Sequence, residues 1–214
     1  MGDQDVDASR IGEPEVGDPE LDGAEPTFAV LFVCTANHCR SPMAEHLLRG
    51  QLGAHGLVWS VASAGTRAEE GRPMHPSAAR ALSRHGIDVG DWTSRRLGAD
   101  AVLRADLVLT AGDDHRAVVA RLAPASMPRT FTLLQFAHLV SALPMAEGLT
   151  ADEYGPALLD HAVRMRGIAQ PLARGLRDIP DPMGHSHFRF GRCATVIDRA
   201  LQSILRVPAG VRGG

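Results

Sequence analysis

The chain has 214 residues, 44% apolar and 22% charged, enough for one α/β core and short for two independent enzymatic domains. That balance excludes wholesale disorder, collagen-like repeats and a disulfide scaffold, and no apolar run approaches the roughly 20 residues that span a bilayer. The net charge of −3 is unevenly divided: residues 1–26 hold nine acids against Arg10 alone, whereas the other 21 arginines stand against 16 acids and no lysine is present. A mildly basic body suits an anionic ligand such as a phosphoryl group. Nine scattered aromatics and the absence of an arginine stripe fit nucleic acid poorly. The amino end has neither a basic start nor an apolar signal-like run, so a cytoplasmic chain with reduced thiols and no membrane partner is expected from its three cysteines.

Met1 to Pro26 is rich in Gly, Pro and acids and reads as a disordered tail. Phe28 to Val33 is a continuous apolar run, the pattern of a strand covered on both faces, and it stops at Cys34. A helix follows from Ser41-Pro42, with Met43, Ala44, Leu47 and Leu48 at helical spacing. Val58 to Ala64 predicts a second strand, Ser77 to His85 a helix ended by Gly86, and Asp106 to Thr110 a third strand. Asp113 to Leu122 is helical, Arg129 to Thr132 a short strand and Leu133 to Leu143 another helix. The alternation implies an α/β fold, an open four-stranded parallel sheet with helices on both faces. The folded domain spans 27–206, interrupted at about 144–177 by an insertion with one extra helix around Leu158, Ala162 and Met165, which the sheet does not need and which is expected at the periphery. A final helix, about Phe188 to Leu205, buries Cys193, Ile197 and Leu201 on one stripe, and 207–214 form a short tail.

Chemistry concentrates in Cys34-Thr35-Ala36-Asn37-His38-Cys39-Arg40-Ser41, which sets a thiol at the end of a buried strand and an arginine at the mouth of a helix. A loop entering a helix can turn its N–H groups and the positive end of the dipole toward an oxyanion. The same field favours the thiolate of a cysteine at its centre. Arg40 would grip two oxygens of a phosphoryl group while Cys34 attacks phosphorus and forms a phosphocysteine.

The run VCTANHCRSPMAE resembles the phosphate loop of low-molecular-weight protein tyrosine phosphatases, whose pattern is V-C-x-G-N-x-C-R-S-P. The resemblance extends to Ser63-Ala64-Gly65-Thr66, Ser83 to Ile87, Ser94-Arg95, Ala105 to Thr110 and Asp181-Pro182. It implies Cys34 as nucleophile, Arg40 as phosphate clamp, Ser41 as the hydroxyl that stabilises the thiolate, and Asp181 as general acid and then base. It makes Thr35 to Cys39 the phosphate-binding loop, Asn37, Ser63 and His85 its hydrogen-bond network, and Cys39 a neighbour that can pair reversibly with Cys34. No cofactor or metal is implied, and the partner is a phosphorylated protein.

Some positions depart from the family. Its loop glycine is Ala36, which fits only with a negative φ at that position. His38 occupies a substrate-selecting position. Met183 replaces the tyrosine usual after Asp-Pro, and the loop beginning at Arg67 lacks an aromatic wall. The cleft formed by Met183 and Arg67 is therefore expected to bind aryl phosphates loosely yet still above phosphoarginine. Alternatives are a phosphoarginine or small-molecule phosphatase, a catalytically silent phosphate-binding module, a metal site on Cys34, Cys39, His185 and His187, and an arsenate reductase, which lacks its further redox cysteines around residues 80–95.

Overall fold

The computed structural model describes residues 25–141 and 149–206. The acidic tail up to residue 24, the beginning of the insertion at 144–148, the end of the expected Leu133–Leu143 helix and the carboxyl-terminal tail lie outside the described residues.

Four strands, β1 (Phe28–Cys34), β2 (Trp59–Gly65), β3 (Leu107–Thr110) and β4 (Thr130–Thr132), form one parallel sheet in the order β2-β1-β3-β4. β1 is central, pairing Phe28 with Trp59 through to Cys34 with Gly65 on one side, and Val30 with Leu107 through to Val33 with Thr110 on the other. Its side chains alternate between two cores. Phe28, Val30, Phe32 and Cys34 join the larger one, while Leu31 and Val33 face the smaller one with Val102, Val108 and Val119.

The larger core is covered by α1 (Arg40–Leu52), α2 (Pro76–Ser83), α5 (Leu133–Val140), α6 (Ala151–Met165) and α7 (His187–Ile204). The smaller core is closed by α3 (Ala99–Arg104) and α4 (Asp113–Leu122). The sequence pattern gives no sign of α3, because this single six-residue segment buries only Val102 and has no apolar stripe to detect.

The insertion is more than a peripheral addition. In α6, Tyr154, Leu158 and Ala162 are buried in the larger core. Tyr154 stacks on Trp59 with ring centroids 6.2 Å apart, and Trp59 in turn meets Phe28 at 5.1 Å. A Cβ on Gly155 would fall 2.5 Å from the Phe28 ring, so only glycine lets α6 approach β1 this closely. The Tyr154 hydroxyl donates to the Ile204 carbonyl at 2.7 Å, satisfying an end of α7 that the helix itself leaves open. At its own amino end, the Glu153 carboxylate accepts from both the N–H and the hydroxyl of Thr150, which holds it below the usual carboxylate range.

Tyr154→Phe should therefore keep the ring packing and leave the Ile204 carbonyl unpartnered. The expected loss is about 1–3 kcal/mol in urea unfolding with an unchanged denaturant slope. A midpoint equal to the wild type would show that the hydroxyl contributes nothing to the docking of α6.

Candidate active site

Cys34 ends β1, and six residues later α1 begins at Arg40 with no capping side chain and no acid in its first turn, leaving its positive end available to an anion. The turn between them requires one left-handed residue. Asn37 takes it, with φ of 54°, and is the only non-glycine residue with positive φ among those described. Asparagine tolerates this conformation better than most side chains, and Ala36 has no positive φ to bear. Gly65 allows the end of β2 to press against the turn: a Cβ there would fall 2.7 Å from both the Asn37 nitrogen and the Thr35 oxygen.

A chain of side chains fixes the loop. Cys34 Sγ lies 3.0 Å from Ser41 Oγ, and Asn37 Nδ2 donates to both Ser41 Oγ and Ser63 Oγ at 2.8 Å. Ser63 donates to Glu45 Oε2 at 2.5 Å. The Glu45 carboxylate, fully buried, also accepts from Trp92 Nε1 and Arg95 Nη2, and pairs with Arg49 at 3.1 Å. Arg95 closes the circuit through its backbone N–H, which donates to Asn37 Oδ1 at 2.8 Å.

The expectation for His85 is corrected here. Its side chain is exposed beyond α2 and makes no hydrogen bond to the loop. Glu45, Trp92 and Arg95 complete the network in its place. The residue that does touch the loop from this region is His75, whose backbone N–H donates to the His38 carbonyl at 3.0 Å and whose ring stacks on Phe190 at 4.6 Å. Glu45 has a signal in the sequence, since it lies four residues after Ser41 and so on the same side of α1.

Arg40 Nη2 meets Asp181 Oδ2 at 2.6 Å, with Thr35 Oγ1 at 3.4 Å and Nη1 near the Ile179 carbonyl at 3.5 Å. The segment carrying Asp181 is anchored by Ile179, which is buried and donates its N–H to the Ala111 carbonyl. The other acid nearby, Asp178, is engaged elsewhere: its Oδ1 accepts from the Asp113 N–H at the start of α4. Met183 donates its N–H to Asp181 Oδ1, and its Sδ lies 3.3 Å from Cys39 Sγ. Burial pushes the Cys39 thiol up, reinforced by Cys34 and Asp181. Burial likewise pushes Cys193 up, to about 12. Arg67 is exposed at the edge of the site, its backbone N–H donating to the Thr35 carbonyl at 2.8 Å. His38 is half-buried, with no partner for its Nε2 among the described residues. Cys34, Cys39, His185 and His187 do not assemble as ligands: among the described residues no group of three or more His, Cys, Asp or Glu is placed to hold a metal ion.

One neighbour goes unnoticed in the sequence. His115 on α4 is 8% exposed, and its Nε2 hydrogen-bonds Thr35 Oγ1 at 2.9 Å, beneath Arg40. Burial holds this imidazole below the ordinary histidine range and the Arg40 cation adds to the effect, against Asp114, Asp178 and Asp181.

A four-stranded parallel sheet with an anion-ready turn after its central strand, carrying a thiol and a guanidinium, is the architecture of the low molecular weight phosphatase class. The family model for low molecular weight phosphotyrosine protein phosphatases matches residues 29–153, and the chain belongs to that family. It is 35% identical over 134 residues to a probable low molecular weight protein-tyrosine-phosphatase, EpsP, of Ralstonia nicotianae, covering 63% of this chain and 90% of that one. It is 41% identical over 81 residues to an arsenate reductase of Brevibacillus brevis, covering 38% of this chain and 56% of the relative. The fold also resembles the YwlE arginine phosphatase from Geobacillus stearothermophilus, with a TM-score of 0.60 at 24% identity over 83% of this chain and 90% of the other.

Two outcomes test the electrostatics. Glu45→Ala strands several buried donors and should destabilise the protein by about 3 kcal/mol or more. His46, like His115, is held below the ordinary range first by burial. As pH falls below about 6.5, the unfolded chain takes up protons that these folded imidazoles refuse, so stability should decline from there until the folded groups titrate. Urea midpoints across that window should drop for the wild type and drop less for His115→Gln; parallel curves would refute the assignment to His115.

Proposed function

We propose that the protein hydrolyses phosphomonoesters on protein substrates, phosphotyrosine foremost, through a phosphocysteine on Cys34. The observation that carries this reading is the convergence of the Cys34 thiol, the Ser41 hydroxyl and the Arg40–Asp181 pair around one turn at the carboxyl end of β1. Such sheets hold their ligands at that end.

In this scheme the phosphoryl dianion takes the Arg40 guanidinium as its clamp, drawing it from Asp181. The Cys34 thiolate, stabilised by the Ser41 O–H, attacks phosphorus, the P–O bond breaks, and Asp181 delivers a proton to the leaving oxygen. Asp181 then removes a proton from water as it attacks the phosphocysteine, releasing inorganic phosphate and restoring the thiolate. Asn37, Ser63 and Glu45 hold the turn, and the backbone from Thr35 to Cys39 surrounds the phosphoryl oxygens. No cofactor enters these steps.

The relative EpsP supports a phosphoprotein substrate by its name. Met183, 44% exposed, offers an apolar surface beside Asp181, and the half-buried His38 sets a bulky, titratable group in the loop that disfavours a guanidinium substrate. Cys39 is the partner we assign for a reversible disulfide with Cys34. The three cysteines are free and buried, which suits a reducing, cytoplasmic compartment. No described helix is long and apolar enough to cross a membrane.

Cys34→Ser and Arg40→Ala should abolish turnover of aryl phosphates. Asp181→Asn should slow phenyl phosphate far more than nitrophenyl phosphate, because a good leaving group departs with less help. Equal slowing would mean that Asp181 only positions the loop. A hydrolysis panel of phosphotyrosine, phosphoarginine and phosphoserine peptides tests the substrate, and faster turnover of phosphoarginine would overturn the tyrosine assignment.

A further inference from the structure

The acid-bearing loop is tied to the phosphate loop through Arg40–Asp181 and through the contact of Met183 Sδ with the Cys39 thiol at 3.3 Å. Cys39 is 3% exposed and its thiol is held protonated, so it is the donor and the thioether the acceptor. Met183 is also the only exposed methionine among the described residues: Met43 and Met74 are buried, and Met127 and Met165 are half-buried. The same residue donates its N–H to Asp181 Oδ1 at 3.1 Å. One solvent-exposed methionine thus forms, beside the Arg40–Asp181 pair, a second link between the nucleophile loop and the general acid.

We infer that Met183 is a site of peroxide oxidation, and that its sulfoxide releases the Asp181 loop from the phosphate loop. The inference rests on the reading of Asp181 as general acid. A sulfur lone pair attacks one oxygen of hydrogen peroxide, the O–O bond breaks, and the departing hydroxide takes the proton from the oxygen now bound to sulfur and leaves as water. The thioether is oxidised to the sulfoxide and the peroxide is reduced. The sulfoxide oxygen has no room within the 3.3 Å contact between the Met183 sulfur and the buried Cys39 thiol, so accommodating it shifts the Met183 turn and carries Asp181 with it. Thiol reductants regenerate Cys34 and Cys39 from a disulfide but leave the sulfoxide, which requires methionine sulfoxide reductases.

Two measurements on the full chain test this. Cys34→Ser protein treated with hydrogen peroxide and mapped by peptide mass spectrometry should gain one oxygen at Met183 before Met43 or Met74. Wild-type protein treated with peroxide and then dithiothreitol should keep a several-fold loss in kcat for phenyl phosphate, with little change for nitrophenyl phosphate, reversed by the reductases. Met183→Leu, compared with its own untreated sample, should recover fully on dithiothreitol alone. Oxidation of Met183 no faster than that of the buried methionines, or the same residual loss in Met183→Leu, would overturn the inference. A flat leaving-group response of Asp181→Asn would instead remove the general-acid reading beneath it. A steep response there with a flat one for the sulfoxide would overturn this inference alone.

Discussion

The turn between Cys34 and Arg40 depends on a carboxylate that is itself sealed from solvent. Glu45 is withdrawn from water inside α1, yet it gathers Ser63, Trp92, Arg49 and Arg95, and through Ser63 and Arg95 it grips Asn37 from both ends of the amide. Asn37 is the residue in the left-handed conformation, and the cost of that backbone, on the order of 1 kcal/mol or more, persists only where surroundings over-determine it. The network does so. A single amide then passes the constraint to Ser41, whose hydroxyl faces the Cys34 sulfur.

The opposite wall is anchored by different means. Ile179 joins the end of β3 through Ala111, Asp178 caps α4, and Asp181 reaches Arg40, so three elements fix a seven-residue turn that begins directly after an insertion. The insertion leaves this geometry intact because α6 docks away from the loop, against Phe28, Trp59 and the end of α7.

Much of this was legible in the residues. The apolar run before Cys34, the Pro42 helix start and the strand-helix alternation defined the sheet, because burial on both faces leaves an unbroken apolar signature. The thiol, the arginine and the acid were legible as well, since each belongs to a short segment whose residue types are tied to one chemistry. What the sequence concealed is what three-dimensional pairing decides. His85 lies in a stretch that matches the family, yet exposure removes it from the network, while the spacing of Glu45 from Ser41 gives its side of α1 but not its partners Trp92 and Arg95. His115 reached Thr35 only through the packing of α4 under β3, a relation across 80 residues that no periodicity encodes. The insertion likewise reads as something the sheet does not need, yet its Tyr154 finds two partners in Trp59 and Ile204.

Tyr154 carries a further consequence. It is the only tyrosine in the 214 residues; it is 1% exposed, its hydroxyl is engaged by Ile204, and burial pushes its ionisation up to about 12. A kinase could not reach this hydroxyl without dislodging α6. The folded protein therefore presents no phosphotyrosine of its own, so control by tyrosine phosphorylation and removal of that mark by a second copy are both closed to it.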